Sequence, residues 1–229
     1  MKDRTYLKKH ERLLSASALF RGLDGEELKK ALDILGAEYG AYEKGALLHR
    51  PCTEMKKFGL VLSGAVQACM DDVEGNRMIM ADVNPGTTFG ESLCWLGIAD
   101  SPVYVYAASD CAVLWLSPDL LYSGSTDSTA LDLQKRFTAL LAARTLSMNS
   151  RIQILSKLSI REKVTVYLCD RAAASASDTV TVPLSREDMA TYIGTNRAAL
   201  SRELARMKRD GLIDYRKNTF ILKKQQKNE

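Results

Sequence analysis

Thirty consecutive residues, "TALDLQKRFTALLAARTLSMNSRIQILSKL" (129–158), contain neither glycine nor proline. No other stretch limits the architecture of the chain so sharply. Gly and Pro are the residues that interrupt helices, so the run is expected to form one helix. Leu133, Phe137, Leu141, Thr145, Met148, Ile152 and Leu155 recur at steps of three or four and trace one stripe along it. At about 1.5 Å per residue the helix would span roughly 45 Å, longer than one small domain is wide. Its stripe must then meet a second domain or a second chain. A dimer spine is the expectation, ahead of a helix held within one core, because the stripe continues past the β-rich region that precedes it.

That region runs from Gly36 to Leu116. Short apolar or alternating runs recur there: "ALLHR", "FGLVLSGAVQACM", "RMIMADV", "VYVYAAS" and "CAVLWLS". Turn chemistry separates them, as in "YEKG", "DDVEGN" and "NPGTTFG". Many short strands between glycine turns predict a β-sandwich or barrel-like domain. Residues 1–35 have the pattern of short helices, one of them opened by Asp24, Glu26 and Glu27. Residues 117–128 suggest a short helix and a polar break.

After the long run the pattern becomes helix, strand, helix, helix, hairpin. Ser159 is placed to cap "IREKVTVYLCDRAAA", and "DTVTVPL" is a short strand. Ser185 with Asp188 has the spacing of a capping box before "REDMATYI". Gly194 makes a turn, Asn196 can cap the next helix, and Gly211 stands where that helix should stop. "LIDYRKNTFILKK" predicts a hairpin turning near Lys217–Asn218. Two helices joined by a tight glycine turn and followed by a hairpin form a winged helix-turn-helix. The expected division is therefore 1–126, a long helix at 127–158, and a winged module at 159–229.

The second helix of that module has two faces. Leu200, Leu204 and Met207 form an apolar stripe, whereas Arg197, Ala198, Ser201 and Arg202 point roughly 120° away. Arginines among small residues suit close approach to a DNA base edge, where a guanidinium bonds O6 and N7 of guanine. Thr195 and Asn196, at the helix start, are candidates for phosphate. Charge follows the same division. Residues 159–229 hold 14 Lys and Arg against 9 Asp and Glu, and the first 158 hold 18 against 19. The positive excess is local to the end that would meet a polyanion.

Several classes are disfavoured. No run of about 18 apolar residues predicts a membrane span. The charged start "MKDRTYLKKHERLL" lacks the apolar centre of a signal peptide, so a cytoplasmic home is expected. The five cysteines, at 52, 69, 94, 111 and 169, form no C-x-x-C pair and suggest reduced thiols. Without a P-loop, nucleophile elbow, zinc-protease motif or paired histidines, the chain is not expected to be an enzyme.

Two stretches, "NPGTTFGES" (84–92) and "LSREDMATYIGTNRAALSRELARMKRDGLI" (184–213), resemble the Crp/Fnr family of bacterial transcription regulators, and the resemblance covers nearly the whole chain. It implies an α+β fold: an N-terminal β-roll of double-stranded β-helix or jelly-roll type that senses an effector, a long dimerisation helix, and a C-terminal winged helix-turn-helix. It also implies a homodimer on a palindromic site in double-stranded DNA, with RNA polymerase as a partner. The DNA-binding set it implies is Ser185, Thr195, Asn196, Arg197, Ala198, Ser201, Arg202 and, in the wing, Lys223. Ala198 stands where many members carry a glutamate for cytosine, so the half-site is not transferable from them.

The implied effector set is Phe89, Gly90, Glu91, Ser92, Ser101, Pro102, Met148 and Asn149. In the cyclic-AMP-binding branch an arginine and a serine stand where this chain has Ser101 and Pro102. Without that arginine a cyclic phosphate lacks its bidentate partner, and the expected signal is a small organic molecule or a redox change. Gly90 and Glu91 either line the pocket or close a strand-to-helix turn. His49 is a packed strand residue or a metal ligand, and Cys94 is a candidate thiol sensor. No cofactor is identified. The alternative function is non-specific, architectural DNA binding by the same modules.

Overall fold

A computed structural model describes residues 5–75, 77–122, 127–182 and 184–223. The charged first four residues and the expected polar break at 123–126 lie outside them. The chain divides into two compact units, Met1–Ala142 and Ala143–Glu229.

The first unit opens with two helices, α1 (Thr5–Ala16) and α2 (Gly25–Ile34). Eight strands follow: β1 (Glu38–Tyr42), β2 (Leu47–His49), β3 (Phe58–Ser63), β4 (Val66–Asp71), β5 (Arg77–Val83), β6 (Thr88–Phe89), β7 (Tyr104–Ala107) and β8 (Cys111–Leu116). A short helix, α3 (Glu91–Leu96), separates β6 from β7. The strands form two four-stranded antiparallel sheets, ordered β1-β8-β3-β6 and β2-β7-β4-β5. The chain passes back and forth between the sheets, which is why short strands with tight turns suffice to wind the roll. β3, "FGLVLS", is buried at five consecutive positions, as a strand covered on both faces must be. At the open edge, β5 leaves Met78, Ile79 and Met80 about half exposed.

The long run forms α4 (Ser128–Leu155), 28 residues and so about 42 Å. It stops before Leu158 because Ser159 begins a new helix with its own cap. The stripe read from the sequence changes surroundings along its length. Leu133 and Phe137 are fully buried in the core of the first unit, where Phe137 packs on Phe58 with ring centroids 5.3 Å apart. Arg136 secures the same end, donating to the Arg21 carbonyl at 2.6 Å. Leu141 is partly covered by that core. Met148 and Ile152, in contrast, are 65% and 61% exposed. Leu133 and Phe137 are therefore not available to a partner chain, and the dimer seam expected along the whole stripe is corrected there.

The second unit contains α5 (Ile160–Ser175), β9 (Thr179–Thr181), α6 (Arg186–Tyr192), α7 (Arg197–Arg209), β10 (Ile213–Arg216) and β11 (Thr219–Leu222). The three strands pair in the order β10-β11-β9. Val164, Leu168, Val180, Ile193, Leu200, Leu204, Met207, Ile213 and Phe220 build one core beneath the helices and the hairpin. The β10–β11 register pairs Arg216 with Thr219 and leaves Lys217–Asn218 as the turn. Lys217 takes the positive φ, +52°, that a two-residue hairpin turn requires.

Candidate nucleic-acid interface and sensing region

Asn196 starts α7 in extended conformation, and its Oδ1 accepts from the Ala199 N–H at 2.8 Å. Just before it, Gly194 takes φ +70°, and a Cβ there would stand 2.8 Å from the Leu155 side chain. Left-handed geometry and close packing together demand glycine at that turn. Ser185 caps α6 in the same manner: its hydroxyl accepts from the Asp188 N–H at 3.1 Å and donates to the Asp188 carboxylate at 2.6 Å. Burying Leu200, Leu204 and Met207 fixes the rotation of α7 about its axis. That rotation leaves Asn196, Arg197, Ala198, Ser201 and Arg202 exposed and Thr195 half-buried. Ala205 and Arg209 lie on the same face by 100° per residue.

The cations of the module fall into two groups. Arg161 of α5 bridges Glu203 at 2.7 Å and Asp210 at 2.6 Å, and these bonds raise its pKa. Arg206 also leans on Glu203, at 3.4 Å. Lys208 pairs with Asp214 at 2.6 Å, which holds that carboxyl below its usual range. Arg186 is turned inward: it donates to the Lys217 carbonyl at 2.6 Å and lies 4.7 Å from the centre of the Phe220 ring. Burial lowers its pKa, and its role is to tie α6 to the hairpin. Arg197, Arg202 and Arg209, in contrast, have no ion pair among the described residues, and neither do Arg216, Lys217 and Lys223 of the hairpin. Sequence reasoning singled out Arg197, Arg202 and Lys223 but passed over Arg209, Arg216 and Lys217. Helical spacing alone places Arg209 on the exposed face, and the hairpin expected to turn near Lys217–Asn218 already places Arg216 and Lys217 at its tip.

The residues expected at the effector lie in both units. Phe89, Gly90, Glu91 and Ser92 run from β6 into α3. Phe89 is buried, packs edge-on against Trp115 at 5.5 Å, and fills the space beside Gly59. Gly90 takes φ +80°, and a Cβ on it would collide with the Met55 sulfur. Glu91 is 1% exposed and accepts a hydrogen bond from the Thr88 hydroxyl. Ser101 is buried, its Oγ accepts from the Val103 N–H at 3.3 Å, and its carbonyl accepts from the Cys52 N–H at 2.7 Å. The segment Cys52–Met55 thus meets both Ser101 and Gly90. Ser92 and Pro102 are exposed. Met148 and Asn149 are exposed on α4 within the second unit.

Burial, reinforced by the charges of Asp119, Glu54 and Glu91, pushes the Cys94 thiol up to about 12. At neutral pH it is a protonated, unreactive thiol, which removes the reason for treating it as a sensor. His49 is buried in β2, its Nε2 has no hydrogen-bond partner, and burial lowers its pKa. Among the described residues no cluster of three or more His, Cys, Asp or Glu is placed to hold a metal ion. No described helix is long and apolar enough to cross a membrane.

Residues 40–123 match a cyclic nucleotide-binding domain and residues 162–227 a Crp-like helix-turn-helix domain. A probable transcriptional regulator, Flp, of Lacticaseibacillus casei is 30% identical over 204 residues, 86% of this chain and 87% of that protein. The nitrogen fixation regulation protein FixK of Azorhizobium caulinodans is 26% identical over 71% of this chain and 66% of its own length. The fold is similar to that of the Thermus thermophilus catabolite activator protein, with TM-score 0.52 and 23% identity over 90% of this chain and 94% of that one. It is also similar to the c-di-GMP-responsive global regulator CLP of Xanthomonas campestris, with TM-score 0.55 and 18% identity over 88% of this chain and all of that one.

Proposed function

The chain belongs to the Crp/Fnr family of transcription regulators, and from that premise we propose that it binds a palindromic DNA site as a homodimer through the exposed face of α7. One observation carries the residue assignment. Arg197 and Arg202 stand unpaired among the described residues, beside Ala198 and Ser201, while Arg161, Arg206 and Lys208 are held by Glu203, Asp210 and Asp214. Arg197 and Arg202 read base edges in the major groove, and the small residues permit the approach. Thr195 and Asn196 meet phosphate at the helix start, with Lys223 doing so from the hairpin. Ser185 contributes by holding the α6 terminus. The protein works in the cytoplasm, where promoter DNA and RNA polymerase are.

The division of labour we infer is a sensing unit at 1–126, a dimer helix at 127–158 and a reading module at 159–229. On α4 the seam is formed by Leu131, Thr138, Ala142, Thr145, Asn149 and Ile152, which fall within one 80° sector by helical spacing and are all exposed. Steps of seven, four, three, four and three residues are those of a two-stranded coiled coil.

The effector is a small molecule other than cyclic AMP. Glu91 is already engaged by Thr88, Ser101 is bonded within its own turn, and Pro102 offers no charge to a phosphate. Gly90, Glu91 and Ser92 stand at the edge of the effector region, with Phe89 as its packed floor. Selection from a random double-stranded DNA library tests the function. A two-fold motif with half-site centres roughly 34–36 Å apart is expected; sequence-indifferent binding would favour the architectural alternative.

A further inference from the structure

Trp95, Leu96 and Tyr122 are large apolar residues of the first unit, yet they are 40%, 66% and 43% exposed. They are continuous with α4. The Trp95 and Tyr122 rings meet at 4.3 Å, and Trp95 lies edge-on to buried Phe137 at 6.0 Å. The Tyr122 hydroxyl stands 3.4 Å from the Thr138 hydroxyl. Gln134 donates to the Leu121 carbonyl and holds that turn against the helix. Thr138 belongs to the seam assigned above, and so does Leu131, which is 43% exposed. Contiguous exposed apolar residues mark an interaction surface more often than isolated ones do, and these form the uncovered margin of the seam.

Helical spacing fixes which side of the seam this margin borders. With Thr138 at zero, Phe137 and Gln134 lie at about −100° and −40°, whereas Ala142, Lys135 and Ala139 lie at about +40°, +60° and +100°. The patch touches Phe137 and Gln134, and so borders the negative flank. Two parallel helices related by a two-fold axis set the negative flank of one beside the positive flank of the other. The positive flank suits an indole. Ala139 and Ala142 leave room for the ring, and Lys135 is exposed with no ion pair among the described residues. An ammonium over a tryptophan face is an attractive contact. We propose that in the homodimer Trp95, with Leu96 and Tyr122 beside it, packs on α4 of the second copy, against the partner's Lys135 and the partner's Ala139. Within one chain the contact cannot form, because Phe137 and Lys135 lie on opposite sides of α4. The contact rests on the parallel α4 seam proposed above and extends it to α3, whose first residue is buried Glu91. The helix that begins in the effector region thus ends against the second copy.

Thiol cross-linking of the full-length chain with bismaleimidoethane tests the contact. The exposed cysteines are first removed as Cys52→Ser and Cys169→Ser; the other three are buried. Trp95→Cys combined with Ala139→Cys should give mostly covalent dimer on a denaturing gel, whereas each of the two alone should run as a single chain. Thr138→Cys alone lies at the centre of the seam and should link to its own counterpart. Leu96→Cys combined with Ala139→Cys retains the indole and should link as the first pair does, so it decides the matter if loss of Trp95 weakens assembly. Linking of Thr138→Cys but of neither pair overturns the proposal, because the seam then stands without this flank. Linking of Trp95→Cys alone also overturns it, since the two patches would then face each other. Failure of Thr138→Cys to link, together with both pairs, shows instead that the parallel seam is wrong, and the flank contact falls with it.

Discussion

The guanidinium groups of Arg206 and Arg209 are three residues apart on α7 and differ in what surrounds them. Arg206 faces Glu203, whereas Arg209 faces no acid among the described residues. Only the second is free for a polyanion. Arg209→Ala should weaken binding of all DNA sequences about equally and lower the salt slope by about one for each phosphate left unneutralised. Arg206→Ala should change neither by as much. Fluorescence anisotropy across a salt series separates the two, and equal effects would show that the pairing does not govern availability. His49 makes a different residue-scale prediction. Burial holds its pKa below 6.5 in the folded chain, so the unfolded chain takes up the extra proton on acidification. Its neutral form supports folding fully above about pH 6.5, and that support is lost as pH falls through the lowered folded value. His49→Leu removes an unpaired buried nitrogen. It should raise stability by about 1–2 kcal/mol at pH 7 and flatten the decline between pH 7 and 5. His10, whose pKa is also lowered by burial and then by Lys9, leaves a residual slope. Thermal melts at both pH values check this; a destabilised variant with the original slope would contradict it.

At the scale of elements, α4 shows how far periodicity carries. Its existence and length were legible from thirty residues without Gly or Pro, but its surroundings were not. Leu133 and Met148 belong to one stripe, yet one is fully buried and the other mostly exposed, and spacing does not record what a stripe packs against. The consequence is testable. Leu141 is partly covered by the core of the first unit, so Leu141→Glu should lower thermal stability as well as impair assembly. Leu146 is 68% exposed and lies beside the proposed seam. Leu146→Glu should shift the dimer toward a monomer of 25.4 kDa with little change in melting temperature at equal monomer content. Sedimentation and melting of both variants check it; a Leu146→Glu protein that remains wholly dimeric would misplace the seam. Elsewhere, β2, β3, β4, β5, β7 and β8 were legible as alternating or apolar runs between glycine turns. β1 was not, because "EYGAY" has no alternation and is defined only by its pairing with β8. β6 has two residues, too few for any pattern. The caps at Ser159, Ser185 and Asn196 were legible because each motif needs only residues close in sequence.

At the scale of the whole molecule, the unit that carries α7 is basic, with 17 Lys and Arg against 9 Asp and Glu, and the first unit is acidic, with 15 against 19. Reading and sensing are therefore separable in charge as well as in sequence. The sensing residues were only partly legible. The motif around Gly90 was found, but the engagement of Glu91 by Thr88 and of Ser101 by Val103 depends on side-chain placement. These internal bonds predict that cyclic AMP at millimolar concentration gives no saturable heat, and a micromolar affinity would overturn that. The central claim, that α7 reads DNA sequence, is tested most directly by binding-site selection on the wild type, Arg197→Ala and Arg202→Ala at two salt concentrations. The wild type should recover a two-fold motif. Each variant should lose preference at one base pair per half-site, by roughly 1–3 kcal/mol, and keep it elsewhere. Variants that retain every base preference and lose only overall affinity would contradict the assignment of α7 as the reading helix.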